Sequence, residues 1–124
     1  MFAKSKKTAL VTGASSGMGK DIAKRLIKDG FQVYAAARSV EKMNDLAALG
    51  ARPLRLDVSN EDEIKAAVDT ILAEVGGVDV LVNNAGFGLY GPVEDITLDE
   101  ARYQFEVNLF GAARLTQLLL PSMR

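Results

Sequence analysis

Several groups of residues in this 124-residue chain have the types and spacing to do chemistry on a phosphate-bearing ligand. Thr12-Gly13-Ala14-Ser15-Ser16-Gly17-Met18-Gly19 follows the apolar run Thr8 to Val11 and precedes a segment of helical period from Lys20 to Lys28, the pattern of a strand, a glycine turn and a helix. Glycines there let the backbone turn tightly, approach a ligand and pack helix on strand, while the helix N-terminus offers unpaired N–H groups to a pyrophosphate. The spacing G-x-x-x-G-x-G departs from the G-x-G-x-x-G of the general dinucleotide fingerprint, and such turns also serve packing alone. About 20 residues further on, where a dinucleotide binder reads the adenosine ribose, stands Ala37-Arg38-Ser39. A carboxylate would pair with the free 2′-hydroxyl of NAD. Arginine, a planar and permanently charged fork, favours the 2′-phosphate of NADP, the plainer alternative being a solvated arginine beside a helix cap.

Asp57, in Leu56-Asp57-Val58, lies at the end of a third apolar run, on the rim where ligands of open α/β sheets bind. It either accepts a hydrogen bond from the adenine amino group or starts the next turn ahead of a Ser59 cap. Asn83-Asn84-Ala85-Gly86 ends a fourth run on the same rim, with a composition equally at home in an ordinary turn. Asn108 interrupts an apolar helical segment between Val107 and Leu109; a mid-helix asparagine is mildly unfavourable and tends to bond backbone, which makes it a site candidate. There is no cysteine and no histidine, which removes disulfides, thiol nucleophiles, imidazole bases and nearly all zinc chemistry.

The elements that must hold these residues alternate β-α-β-α-β-α-β-α. Strands are predicted at Thr8 to Val11, Phe31 to Ala37, Arg52 to Leu56 and Val78 to Val82. Ser39 is placed to cap a short helix closed by Gly50, Ser59 and Asp62 resemble a capping box, and Thr97 with Glu100 forms another. The last opens a helix whose segment Phe105 to Leu120 is apolar on nearly every side and expects to be covered all round. Right-handed crossovers then give an α/β fold, a doubly wound parallel sheet of four strands in order 3-2-1-4 with helices on both faces. Pro53 agrees, since a strand containing proline belongs at a sheet edge.

A formal net charge of −1, with 48% apolar and 25% charged residues, describes a soluble globular domain. The short basic stretch Lys4 to Lys7 is not a patch interleaved with aromatics, so nucleic acid is disfavoured as a partner. No apolar run approaches the ~20 residues of a membrane span, and the basic stretch is followed by too short an apolar run for a signal peptide. A cytoplasmic location is expected.

In this order and at these intervals, Thr12-Gly13-x-x-x-Gly17-x-Gly19, Asp57-Val58, Asn83-Asn84-Ala85-Gly86 and Asn108 resemble the short-chain dehydrogenase/reductase family across essentially the whole chain. The resemblance implies an oxidoreductase that transfers hydride between NADP(H) and an alcohol or carbonyl substrate. By it, Gly13, Ser15, Ser16, Gly17, Met18 and Gly19 hold the pyrophosphate, and Asp57 and Val58 contact adenine. Asn84, Ala85 and Gly86 line the nucleotide ribose and shape the loop, Asn108 belongs to the catalytic tetrad, and Arg38 matches the arginine of NADP-preferring members. The segment Asn84 to Pro92 is similar to members acting on steroid-like or other lipophilic alcohols.

The family's serine and its Tyr-x-x-x-Lys, in which the lysine lowers the pKa of a tyrosine acting as general acid/base, are absent. Tyr34, Tyr90 and Tyr103 are followed four residues on by Arg38, Glu94 and Val107. The chain is therefore expected to be one dinucleotide-binding domain over residues 1–124, the N-terminal part of a larger single-domain enzyme that stops before a fifth strand and is catalytically incomplete alone. A stand-alone, non-catalytic NAD(P)-binding module is the alternative. A receiver-type signalling domain is excluded because Thr12-Gly13 stands where acidic residues would end the first strand. A free fourth-strand edge and the apolar Phe105 to Leu120 helix also predict a homo-oligomer.

Overall fold

Thr8–Thr12 and Gln32–Ala37 form parallel strands β1 and β2, buried along their whole lengths. Strands covered on both faces need such continuous apolar runs. The helix α1 (Gly17–Lys28) makes the crossover between them and sets Leu10 opposite Tyr34. A 3₁₀ turn (Val40–Met43) and α2 (Asn44–Ala48) lead to β3 (Arg52–Arg55), whose Pro53 lies opposite Ala35. Next, α3 (Glu61–Val75) returns the chain to β4 (Val80–Val82), on the other side of β1 with Leu81 opposite Leu10. The order β3-β2-β1-β4 is the predicted one, with Pro53 in an edge strand. This computed structural model describes residues 2–124. Among them no helix is long and apolar enough to cross a membrane.

Successive strand residues point to opposite faces, so the sheet divides the core in two. Leu10, Tyr34 and Leu54 face Ile64, Val68 and Ile71 of α3, while Val11, Val33 and Ala35 face Ala23 of α1 with Met43 and Leu46. The last helical stretch comprises α4 (Leu98–Phe105), a single wide π-helical segment (Glu106–Gly111) and α5 (Ala112–Met123) in unbroken succession. Leu115 and Leu119 of α5 are fully buried on the α3 side, each worth about 1.5–3 kcal/mol.

Local signals explain where most elements begin, with several corrections. Thr97 Oγ1 accepts from Glu100 N at 3.1 Å and opens α4 as predicted. The cap of α3, however, is Asn60, whose Oδ1 accepts from Glu63 N at 3.1 Å. Ser59, one residue early, is drawn away by Asp57, to whose Oδ1 it donates both its N–H and its hydroxyl. Ser39 precedes a 3₁₀ turn and makes no side-chain cap bond. Val78 lies outside β4, because Asp79 meets the sheet first: its N–H donates to Thr8 O and its Oδ2 accepts from Thr8 N, both at 2.8 Å. Nor is the helix after Thr97 covered all round, since Phe105, Leu109 and Phe110 each remain more than half exposed.

Candidate functional site

Four parallel strands bring four chain turns to one edge of the sheet, and there the structure has a cleft of about 550 Å³. Gly13, Ser15, Ser16 and Met18 line it after β1, Arg38 after β2, Asp57 and Val58 after β3, and Asn84, Ala85 and Gly86 after β4. Residues scattered from position 13 to position 86 therefore share one cavity. Gly17, Gly19 and Asn108 are not among its lining residues.

The glycine turn takes its shape from two requirements. Gly13 has φ 63°, left-handed backbone that favours glycine. Gly19, in the first turn of α1, is buried, and a Cβ there would overlap Gly13 O and Asn84 Nδ2, so only glycine lets α1 approach this closely. The helix begins without a side-chain cap from Ser16 and without an acidic residue in its first turn. Its positive dipole end is thus not neutralised from within the helix.

Thr12 anchors the loop that faces this turn. Its Oγ1 accepts from Asn84 N and Ala85 N, both at 3.0 Å, and donates to Val82 O at 3.4 Å. Asn84 Nδ2 donates to Gly13 O at 3.3 Å, tying the two loops directly. On the far side Asn108 holds the next residue by both backbone groups: its Oδ1 accepts from Phe87 N at 2.9 Å and its Nδ2 donates to Phe87 O at 2.6 Å. Gly86 leaves room for this contact, since a Cβ there would come 2.8 Å from Asn108 Oδ1. The mid-helix asparagine thus has its reason. It sits in the wide segment Glu106–Gly111, where the regular i→i−4 ladder is interrupted, as at many functional sites. Gly111 brings the same segment against the Val58 carbonyl, too close for any Cβ.

Electrostatically the cleft is cationic at its β2 end. Arg38 and Lys42 line it there, with Ser39 between them. Arg38 Nη1 donates to Tyr103 Oη at 3.4 Å, and Arg55 Nη1 donates to Arg38 O at 2.7 Å. Asp57 is the carboxylate of the cleft. Partial burial pushes its pKa up, but the hydrogen bonds from Ser59 Oγ and N and the nearby Arg38 and Arg55 outweigh this and hold the carboxyl below its ordinary range. Its geometry is that of the turn-starting residue, with Oδ1 occupied by Ser59, while Oδ2 has no partner among the described residues. Leu56, Val58 and Val107 supply apolar wall beside it. No cluster of metal-ligating side chains occurs among the described residues.

Sequence reasoning missed Lys42, Phe87, Tyr103 and Val107 as cleft residues and gave Thr12 no role. A threonine at a strand end before glycine is a weak signal for the anchor. Tyr103 gives none, because its partner Arg38 lies 65 positions away.

The family profile described as short chain dehydrogenase matches residues 7–124. The chain is 40% identical over 116 residues to a 3-ketodihydrosphingosine reductase of Bacteroides thetaiotaomicron, a match that covers 93% of this chain and 41% of that protein. Among solved structures, a short-chain dehydrogenase from Streptomyces avermitilis superposes with a TM-score of 0.93 at 46% identity, covering 97% of this chain and 45% of that one. An L-sorbose reductase from Gluconobacter frateurii, complexed with NADPH and L-sorbose, superposes with a TM-score of 0.88 at 32% identity, covering 96% of this chain and 48% of that one. The chain spans less than half the length of these relatives. With a profile match over nearly every residue and a four-stranded sheet that superposes on members' structures, the chain belongs to the short-chain dehydrogenase/reductase family.

Proposed function

We propose that the cleft holds a nicotinamide dinucleotide, NADP in preference to NAD, and that this chain is the cofactor-binding part of an oxidoreductase acting between an alcohol and a carbonyl compound. The observation that carries the reading is the convergence of the glycine turn, Arg38, Asp57–Val58 and Asn84–Gly86 on one cavity. The residues fit the ligand group by group. The uncapped start of α1, with Ser15 and Ser16 before it, suits a pyrophosphate. Arg38 and Lys42, with alanine rather than a carboxylate at position 37, suit a 2′-phosphate. Leu56, Val58 and Val107 suit an adenine ring, with Asp57 Oδ2 free to accept from its amino group, and Asn84 to Gly86 suit a ribose.

When bound, the nicotinamide supplies hydride exchange with a carbonyl carbon. Asn108 contributes by fixing the Phe87 backbone at the margin of the cleft. The NADPH of the sorbose reductase neighbour supports the cofactor assignment. The sphingoid ketone named for the Bacteroides relative supports a lipophilic substrate, as do Phe87, Tyr90 and Val93, all exposed between β4 and α4. A non-catalytic NAD(P)-binding module is the second reading. A Tyr-x-x-x-Lys in the reading frame after Arg124 decides for the enzyme.

Calorimetric titration tests the cofactor reading. Arg38→Ala is expected to weaken NADP binding by about 1–3 kcal/mol, the scale of a lost charge-assisted hydrogen bond, and to leave NAD nearly unchanged. Equal losses for both cofactors refute it.

A further inference from the structure

Tyr103 belongs to none of the motifs that assign a function to this chain, yet from α4 it reaches residues of the loops after β2 and β4 along the cleft. Its hydroxyl accepts a hydrogen bond from Arg38 Nη1 at 3.4 Å. Its ring lies 5.5 Å from that of Phe87, inclined at 37°. Phe87 is itself fixed, through both backbone groups, by Asn108. At the other end of the arginine, Arg55 Nη1 holds the Arg38 carbonyl at 2.7 Å. An otherwise exposed arginine is therefore tied at its backbone and at the tip of its side chain. Arg38, Phe87 and Tyr103 all line the cavity.

We propose that Tyr103 is a positioning residue for Arg38 and sets the preference for a 2′-phosphorylated adenosine; the inference rests on the cleft being an NADP site. A guanidinium carries five N–H donors in a planar fork. The tyrosine oxygen takes one of them and leaves the others to a phosphate. Ordering a long, free side chain opposes binding, and a side chain already held gives up less freedom. The Phe87 ring supplies the lateral support that keeps the hydroxyl in reach. If Tyr103 only filled space, its ring would matter and its oxygen would not.

Tyr103→Phe separates the two, because it keeps the ring pair and removes the oxygen at a side chain 40% exposed. The protein, expressed from its complete reading frame, is titrated calorimetrically with NADP, NAD, adenosine 2′,5′-bisphosphate and 5′-AMP. Wild type, Tyr103→Phe, Arg38→Ala and the double variant are compared. Tyr103→Phe is expected to weaken both 2′-phosphorylated ligands roughly three- to tenfold, the scale of one hydrogen bond, and to leave NAD and 5′-AMP unchanged. In the Arg38→Ala background it should add no further loss. Phosphorus NMR gives a reading that space-filling would not move. The 2′-phosphate, whose second ionisation lies near pH 6 when free, should titrate lower when bound to wild type and less so when bound to Tyr103→Phe. Unchanged affinities in Tyr103→Phe, or equal losses for NADP and NAD, overturn the role of Tyr103 while a selective loss in Arg38→Ala leaves the NADP reading standing. A wild type that binds NADP no better than NAD, or an Arg38→Ala variant that loses both equally, overturns both.

Discussion

Thr12→Val removes one oxygen and changes little else in shape, and its consequence can be worked from the contacts. Thr12 is 2% exposed, and its hydroxyl receives the backbone N–H groups of both Asn84 and Ala85 at 3.0 Å. Valine can accept neither. An unpaired buried donor costs about 1–3 kcal/mol, and the lower part of that range applies here because the loop side of each bond is only partly buried and can take up water. Two donors then give a loss of about 2–4 kcal/mol, a large share of the 5–15 kcal/mol typical of a domain. Urea unfolding followed by circular dichroism measures it. The midpoint should fall by on the order of 1–2 M at an unchanged slope, while Thr12→Ser, which keeps the oxygen, should lose far less. If Thr12→Val unfolds within about 0.5 kcal/mol of wild type, the hydroxyl is not what holds the Asn84–Gly86 loop to β1, and the account of how the two sides of the cleft are joined fails.

Other changes test other parts of the structure. Gly19→Ala should destabilise the fold by about 1–3 kcal/mol, since the new methyl meets the backbone of Gly13 as well as the Asn84 amide, and the backbone cannot swing aside; calorimetry should show dinucleotide binding weakened with it. Glu74 is held below the ordinary carboxyl range first by its hydrogen bond from Arg52 and then by that from the Tyr34 hydroxyl. A carboxyl depressed in the folded state stabilises above its unfolded pKa and loses that contribution as pH falls through the folded one, so unfolding free energy should decline below roughly pH 4, and less steeply in Glu74→Gln. Finally, β4 is a sheet edge and Phe105, Leu109 and Phe110 are exposed together, so the isolated 124-residue chain should self-associate. A single monomeric species at all concentrations in analytical ultracentrifugation would contradict this.

Sheet order and layering were legible because each rests on a local signal that nothing else overrides. The largely apolar, fully buried β1 and β2 require cover on both faces, Pro53 is tolerated only where a strand has one neighbour, and the Thr97–Glu100 pair caps where it stands. The α3 cap slipped by one residue because two candidates, Ser59 and Asn60, stand side by side, and Asp57, six residues before Glu63, decides between them by taking the serine. Composition alone made the Phe105 to Leu120 segment look like a core helix. Its α5 half carries the fully buried Leu115 and Leu119 on the α3 side, while before it Val107 is buried and Phe105, Leu109 and Phe110 are exposed. The residues that gather at the cleft rim after each strand could be listed from spacing, since parallel strands deliver their C-terminal ends to the same edge. The contacts that join those residues could not, because Thr12 to Asn84 and Arg38 to Tyr103 each close a loop of more than sixty positions.

The wide segment at Glu106–Gly111 also governs the helix as a mechanical part. In a regular helix each residue turns the chain by about 100°, so one residue more or fewer swings everything beyond it by more than a quarter of a revolution. The π-helical turn absorbs such an extra residue locally. It thereby sets the angular phase between α4, which carries Tyr103 toward the cleft, and α5, which carries Leu115 and Leu119 into the core. Shortening the segment by one residue would straighten the ladder, but Tyr103 and the two leucines could then no longer all face inward. The helix is in effect a shaft keyed at one point, and the key is the turn that also carries Asn108 to the Phe87 backbone.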